Sequence, residues 1–351
     1  MDTIMDTPEF KILPEYLRLI GEIDEFKGKW QALGSIAPDR LSLLKRVATI
    51  ESVGSSTRIE GARLTDSEVE KLLSALSVAS FRSRDEEEVA GYAEAMNLVF
   101  ESHDGIRVDE NHMKQLHQLL LRHSSKDARH RGEYKKLPNH VEAFEENGGS
   151  LGVVFRTASP FDTPLMMAEL LAWLNREWSA KEHHPLLLVA IFVVNLLAIH
   201  PFQDGNGRLS RIVTTLLLLK AGYAYAPYSS LERIIEDSKD QYYVALRRAQ
   251  ATLYTDNGDL DAWMLFFLGS LRKQVSVLES KIETEEQIDQ MPPLSQEILQ
   301  IARRHGRVMV RDAQRITGAN RNTIKAHISK LVQKGRLQMM GRGKGTWYKL
   351  S

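Results

Sequence analysis

Between Leu186 and Ile199 the chain sets 13 apolar residues in 14 positions, Asn195 being the exception. Such a run falls short of the roughly 20 residues needed to span a bilayer, so protein has to cover it on every side. It reads as a buried central helix, and the rest of the chain must supply the layers around it. With 351 residues and 43% apolar composition, the chain can build that core and divide into two or three domains.

The run ends at His200, which opens the string His200-Pro201-Phe202-Gln203-Asp204-Gly205-Asn206-Gly207-Arg208-Leu209-Ser210-Arg211. Gly205 and Gly207 lack a Cβ, so the backbone can turn to positive φ and approach a polyphosphate closely. The apolar residues Ile212 to Leu219 extend the string into a helix, whose N-terminal N–H groups and dipole favour an anion. Arg208 and Arg211, three apart, share one helix face, and guanidiniums grip phosphate oxygens in a planar, bidentate way. Asp204 offers a hard carboxylate oxygen to Mg²⁺, an ion commonly bound by one or two carboxylates plus substrate phosphates. His200 supplies a base suited to taking a proton from a hydroxyl near neutral pH. Neither G-x-x-x-x-G-K-[ST] nor H-E-x-x-H occurs in the chain, which sets aside P-loop and zinc-hydrolase chemistry.

The string resembles the signature of the Fic (Fido) family, HxFx[DE]GNGRxxR, at every specified position. The resemblance implies transfer of AMP from ATP to a Ser, Thr or Tyr hydroxyl of a target protein, with pyrophosphate leaving. It implies His200 as general base, Asp204 as the Mg²⁺ ligand, and Gly205, Asn206 and Gly207 as an anion hole. Arg208 and Arg211 would hold the β- and γ-phosphates, and a buried Phe202 would anchor the loop. Ser56-Thr57-Arg58-Ile59-Glu60-Gly61 matches the family's inhibitory motif, [ST]xxxE[GN], with Ser56, Glu60 and Gly61 at its fixed positions. Its place ahead of the loop resembles the subclass with an N-terminal inhibitory helix, in which Glu60 pairs with Arg211 and leaves ATP in a non-productive pose.

A hairpin flap that pins the target segment is expected between Gly132 and Pro160, where Asn147-Gly148-Gly149 reads as a turn and Val153-Val154-Phe155 as a strand. The chain departs from the family at Ala158-Ser159-Pro160, where Pro-Pro is usual, and at Lys135, where arginine is frequent. Tyr242 and Tyr243 are expected on a helix that walls an adenosine pocket, with core packing the role of at least one of them.

The expected fold is mainly α: a Fic-type helical domain with a short β-hairpin flap, plus a small C-terminal winged-helix domain of α+β type. Helical spacing covers residues 14–102, with Leu41, Leu44, Val47 and Ile50 as one stripe and a capping box at Thr65-Asp66-Ser67-Glu68. The expected boundaries are an N-terminal helical region over 1–105, a catalytic domain over 106–281, a linker over 282–293 and a winged helix-turn-helix over 294–351. The linker is rich in Glu and Gln and closes on Pro292-Pro293.

Net charge is zero, but it is unevenly spread: residues 291–351 hold 13 Lys and Arg against Glu297 and Asp312, a net of +11, leaving −11 for residues 1–290. In the C-terminal module Ile324, Ile328 and Leu331 face inward. Arg321, Asn322 and Lys325 are then free for a DNA major groove, and Arg342 and Lys344 for phosphates or the minor groove. The expected partners are ATP, a target-protein hydroxyl, double-stranded DNA and a second copy of the chain, with no membrane. The absence of cysteine, and a start lacking basic and apolar signal segments, fit a cytoplasmic protein. Two alternatives remain at this point. The same site could remove AMP or transfer another phosphoester, or the chain could be a transcription regulator whose ATP site senses nucleotide.

Overall fold

Helix forms wherever apolar side chains recur every three or four residues. The computed structural model describes residues 12–32, 38–75, 81–139, 141–144, 150–155, 157–253, 255, 258–289 and 291–350, and helix dominates among them. α1 (Pro14–Ala32) buries one stripe, Tyr16, Leu19, Ile20, Ile23 and Phe26. α2 (Pro38–Ile59) ends in small residues, Ser52 to Thr57, that are all buried, so this end sits deep among its neighbours. α3 (Asp66–Ala75) follows the expected capping box: Thr65 N donates to the Glu68 carboxylate at 2.8 Å, and Glu68 N donates back to Thr65 Oγ1 at 3.4 Å. Ser83 caps α4 (Arg84–Ser102), and Asp109 caps α5 (Glu110–Leu120).

β1 (Val141–Phe144) and β2 (Ser150–Phe155) pair antiparallel with two register shifts, forming the expected hairpin. Its turn, Asn147-Gly148-Gly149, lies outside the described residues. α6 (Thr163–Ala180) leads to α7 (Pro185–Ile199), the central helix, on which Leu186 to Ile199 are all buried. α8 (Asn206–Lys220), α9 (Leu231–Asp237), α10 (Lys239–Thr252) and α11 (Asp261–Asp289) complete the helical layers around it. Trp263 of α11 is 1% exposed, packs against Tyr242, Phe266 and Phe267, and donates its indole N–H to Ala190 O of α7 at 2.8 Å. Trp263→Ala is therefore expected to cost about 3–5 kcal/mol of stability. Urea unfolding checks this, and a midpoint unchanged from the parent would contradict it.

The chain divides into two compact units, Met1–Val277 and Leu278–Ser351. The second contains the end of α11, then α12 (Pro293–His305), α13 (Val310–Thr317), α14 (Arg321–Gln333) and the antiparallel pair β3 (Leu337–Met340) and β4 (Trp347–Leu350). Its core includes Ile298, Leu299, Val308, Ala313 and Leu337 together with Ile324, Ile328 and Leu331, the inward face expected of α14. A bridge between Val308 and Tyr348 fastens β4 to the segment ahead of α13.

The expected linker over 282–293 is corrected. α11 runs unbroken to Asp289, Ile288 joins the core of the second unit, and α12 already begins at Pro293. Glu, Gln and Lys are strong helix formers, so a stretch rich in them builds a solvated helix face as readily as a spacer. Among the described residues no helix is long and apolar enough to cross a membrane.

Candidate active site

α7 stops abruptly at His200, whose backbone sits in the left-handed region at φ 54°, a conformation that a non-glycine residue keeps only when its surroundings hold it there. Several contacts do so. The buried Lys135 Nζ donates to Ile199 O at 2.9 Å and to Thr157 Oγ1 at 3.0 Å, and Lys135 N donates to Pro201 O at 2.8 Å. Asn139 Nδ2 donates to Phe202 O at 2.5 Å, and Phe202 N donates to Asn206 Oδ1 at 2.8 Å. Phe202 itself is fully buried, as an anchor for the loop should be. Burial without an anionic partner pushes the Lys135 amine down to about 8.

The His200 Nδ1 lies 3.3 Å from Leu197 O, which makes Nδ1 the donor and leaves the lone pair on Nε2. Burial pushes its pKa down to about 4, so the ring is neutral and can accept a proton at neutral pH.

Gly205, at φ 80°, turns the chain into α8. Just inside that N-terminus stand both arginines of the string, Arg208 at 2% exposure and Arg211 at 4%. Arg208 pairs with Glu88 at 2.9 Å and Asp204 at 3.1 Å. Even so, Arg208 Nε and Arg211 Nη1 are buried with no hydrogen-bond partner among the described residues. A buried unpaired donor on a charged group is costly, and here two such donors belong to residues in the first two turns of a helix, whose N-terminus favours an anion.

Glu60 occupies part of that space. Arg211 Nη2 donates to Glu60 Oε1 at 2.8 Å and to Ser56 O at 3.0 Å, and Arg211 Nε donates to Ser56 Oγ at 2.8 Å. Burial alone would raise the Glu60 carboxyl, but Arg211, Arg208 and His200 hold it below the usual carboxylate range. Gly61, at φ 104°, lets the chain turn away directly afterwards. Gly207 is helical, so its missing Cβ has a different use from that of Gly205: a Cβ there would overlap Glu60 Oε1.

Asp204 lies at the mouth. Burial works against its charge, yet Arg208, the Gly205 amide and Arg84 outweigh it and keep the carboxyl below its usual range. No group of three His, Cys, Asp or Glu able to cage a metal occurs among the described residues. One hard carboxylate beside an anion site is nevertheless the donor set Mg²⁺ uses when phosphates and water complete its shell, so the residues fit that ion.

Tyr242 and Tyr243 separate. Tyr242 packs in the core and lines a small cavity with Ser210, Arg211, Thr214 and Trp263, whereas Tyr243 is half-buried. In the second unit Arg321, Asn322, Lys325 and Arg342 are all exposed, and the side chain of Lys344 lies outside the described part.

Several members of the site carry no signature in sequence: Glu88 and Arg84 beside the loop, Asn139 and Thr157 over it, and His117 beneath it. Arg58, a variable position of the inhibitory motif, also belongs here. It grips Glu236 at 2.6 Å and 3.0 Å and Asp66 at 3.0 Å, tying the end of α2 to α9 and α3.

The pattern of the Fic/DOC family matches residues 107–218, which enclose the whole loop. Protein adenylyltransferase Fic of Drosophila mojavensis is 28% identical over 264 residues, 74% of this chain and 47% of that protein. The Drosophila melanogaster protein of the same name is 27% identical over 259 residues. The chain thus spans about half the length of these curated relatives. A solved Fic family protein from Desulfovibrio desulfuricans G20 superposes over 99% of this chain and 98% of its own, with a TM-score of 0.61 and 25% identity.

Proposed function

Because the chain belongs to the Fic family, we propose that it is a protein adenylyltransferase, held in check by Glu60. The observation that carries this reading is the pair of buried donors on Arg208 and Arg211, unpartnered among the described residues, beside a neutral imidazole. An anion site that strong, next to a base, suits activation of a hydroxyl toward a phosphate ester.

In the reaction, the hydroxyl oxygen of a Ser, Thr or Tyr attacks the α-phosphorus of ATP and the bond to the bridging oxygen of the β-phosphate breaks. Pyrophosphate departs, and His200 Nε2 receives the hydroxyl proton. Arg208, Arg211 and the amides of Gly205, Asn206 and Gly207 hold the phosphates. Asp204 would hold Mg²⁺, which neutralises phosphate charge when bound. In the described state the Glu60 carboxylate takes the guanidinium that the end of the triphosphate needs, so release of Glu60 precedes turnover. Tyr243, less enclosed than Tyr242, is the better placed of the two to flank an adenosine.

ATP labelled at the α-phosphate tests the reading: the label should pass to protein, whereas label at the γ-phosphate should not. Transfer of the γ label alone would replace it with a kinase-like reaction, and release of AMP from pre-modified protein with a removal reaction.

For the second unit we propose double-stranded DNA as partner and a homodimer as the form that reads it. Arg304, Arg307, Arg311, Arg315, Arg321, Lys325, Lys330, Lys334 and Arg342 are exposed there, in a stretch, residues 291–351, whose side-chain carboxylates are those of Glu297 and Asp312. Asn320 caps α14 and leaves Arg321, Asn322 and Lys325 outward on its first turns, the part of a helix that enters a major groove. Binding to a labelled duplex should weaken steeply with salt; replacing Arg342 and Lys344 by alanine should flatten the slope of log K against log salt by about 1 per phosphate contact removed, whereas replacing Arg321 should relax sequence preference. No binding at low salt would remove DNA and leave a protein-contacting role for this unit.

A further inference from the structure

We propose that His117 is a positioning residue for the anion-binding loop: its Nε2–H holds the Asp204 carbonyl, and through it sets the Asp204 carboxylate and the amides that follow. The proposal rests on the reading of this loop as an ATP site. His117 lies on α5, 87 residues from its partner, and is completely buried. Its two ring nitrogens have opposite and fixed duties. Gly132 N donates to Nδ1 at 2.8 Å, so Nδ1 carries the lone pair, and Nε2, 2.9 Å from Asp204 O, must carry the proton. The ring lies flat under Phe202, with centroids 3.8 Å apart and planes at 13°. Gly205 rests on the same surface, since a Cβ there would stand 3.5 Å from His117 Nε2 and 3.3 Å from Leu120 Cδ2.

The Asp204 carbonyl has particular need of a partner. α8 begins at Asn206, and its first recorded backbone acceptor, Gly205 O, takes Leu209 N at 2.8 Å, so Asp204 O stands outside the helical ladder. Only a donor from another element can fix it, and the peptide it belongs to is the one that joins the carboxylate-bearing residue to the left-handed turn at Gly205. Burial pushes the imidazole down to about 4, in keeping with a ring that must accept at one nitrogen while donating at the other. A purely structural ring would matter for stability alone. A positioning ring matters for how the loop takes Mg²⁺ and ATP.

The test uses the full chain carrying Glu60→Gly, alone and with His117→Phe or His117→Gln added. Mg²⁺-dependent ATP binding is measured by calorimetry, and AMP transfer is measured separately as kcat and KM. Phenylalanine keeps a ring under Phe202 but loses the N–H, so Mg-ATP affinity should fall roughly tenfold, the scale of one lost hydrogen bond, and the Mg²⁺ needed for half-saturation should rise. Glutamine carries an amide N–H to about the reach of Nε2 and should restore most of both. Equal Mg-ATP affinity and Mg²⁺ requirement in parent and His117→Phe overturn the proposal, as does a folded His117→Gln no better than His117→Phe.

Should His117→Phe not fold, nitrogen NMR of the imidazoles in the parent decides. A proton on Nε2 of His117 supports the proposal, and a proton on Nδ1 overturns it. A Glu60→Gly parent that binds no Mg-ATP at all overturns the ATP reading and this proposal with it, whereas a binding parent with an indifferent His117→Phe overturns this proposal alone.

Discussion

His200→Ala is expected to lower AMP transfer by about 10²–10⁴-fold, the usual worth of a positioned general base, with ATP binding largely kept because the phosphate-holding groups are untouched. Label transfer from α-phosphate-labelled ATP and calorimetry with ATP separate the two effects. Loss of binding as large as the loss of rate would show that the ring positions nucleotide rather than moving a proton. The acid side of kcat/KM adds a second check. The imidazole has been pushed from its ordinary 6.5 to about 4 by burial, so in the free enzyme the base fails only as pH falls through about 4. An acid limb centred near 6.5 would contradict the buried, neutral ring. The same shift links to stability. A histidine whose folded pKa is depressed binds fewer protons folded than unfolded, so the fold loses stability as pH drops from 6.5 toward 4, and His117 adds to the effect.

Glu60→Gly is expected to act in two directions. AMP transfer, self-modification included, should rise roughly tenfold, since a charge-assisted hydrogen bond to a partly exposed carboxylate is worth about 1.5 kcal/mol. Without nucleotide, however, the protein should become less stable. Arg211, 5% exposed along its side chain, loses its carboxylate partner; because the Glu60 side chain is 32% exposed, solvent screens part of the loss. Thermal melts should therefore show a lower midpoint for the variant alone and a larger upward shift on adding Mg-ATP than the parent gives. Unchanged labelling together with an unchanged melt would mean that the 2.8 Å contact between Arg211 and Glu60 restrains nothing.

The parts legible in the sequence are those whose chemistry is local. The loop from His200 to Arg211 shows its groups in sequence because imidazole, glycines and guanidiniums must be close neighbours to stand together at one helix N-terminus. The central helix was legible from its unbroken apolar run, and the inward face of α14 from the spacing of Ile324, Ile328 and Leu331. Glu60 was reachable only through a motif, because no physical rule connects residue 60 to residue 211 before the fold is known. Glu88, Arg84, Asn139, Thr157 and His117 escaped for the same reason. Each meets the loop across a long sequence separation, as in the 120 residues between Arg84 and Asp204, with Thr157 doing so only through Lys135 and Asn139, and each looks in isolation like an ordinary surface or core residue. The left-handed backbone at His200 was equally hidden, since a histidine after an apolar run carries no mark of the turn that its neighbours impose. Over 282–293 composition and structure part: Glu and Gln suit a spacer, yet they are also strong helix formers and carry α11 to Asp289.

The bare α-carbon at position 207 has an evolutionary corollary. On the proposed reading brake and fuel would share one narrow berth, open to the Glu60 carboxylate because nothing projects from that residue. Any side chain installed there would collide with the brake and intrude on the fuel's berth in one stroke, so a permanently active form is not expected by that route. Escape from restraint is expected instead from the far wall, at Glu60 or at the Arg58 mooring to Glu236 of α9.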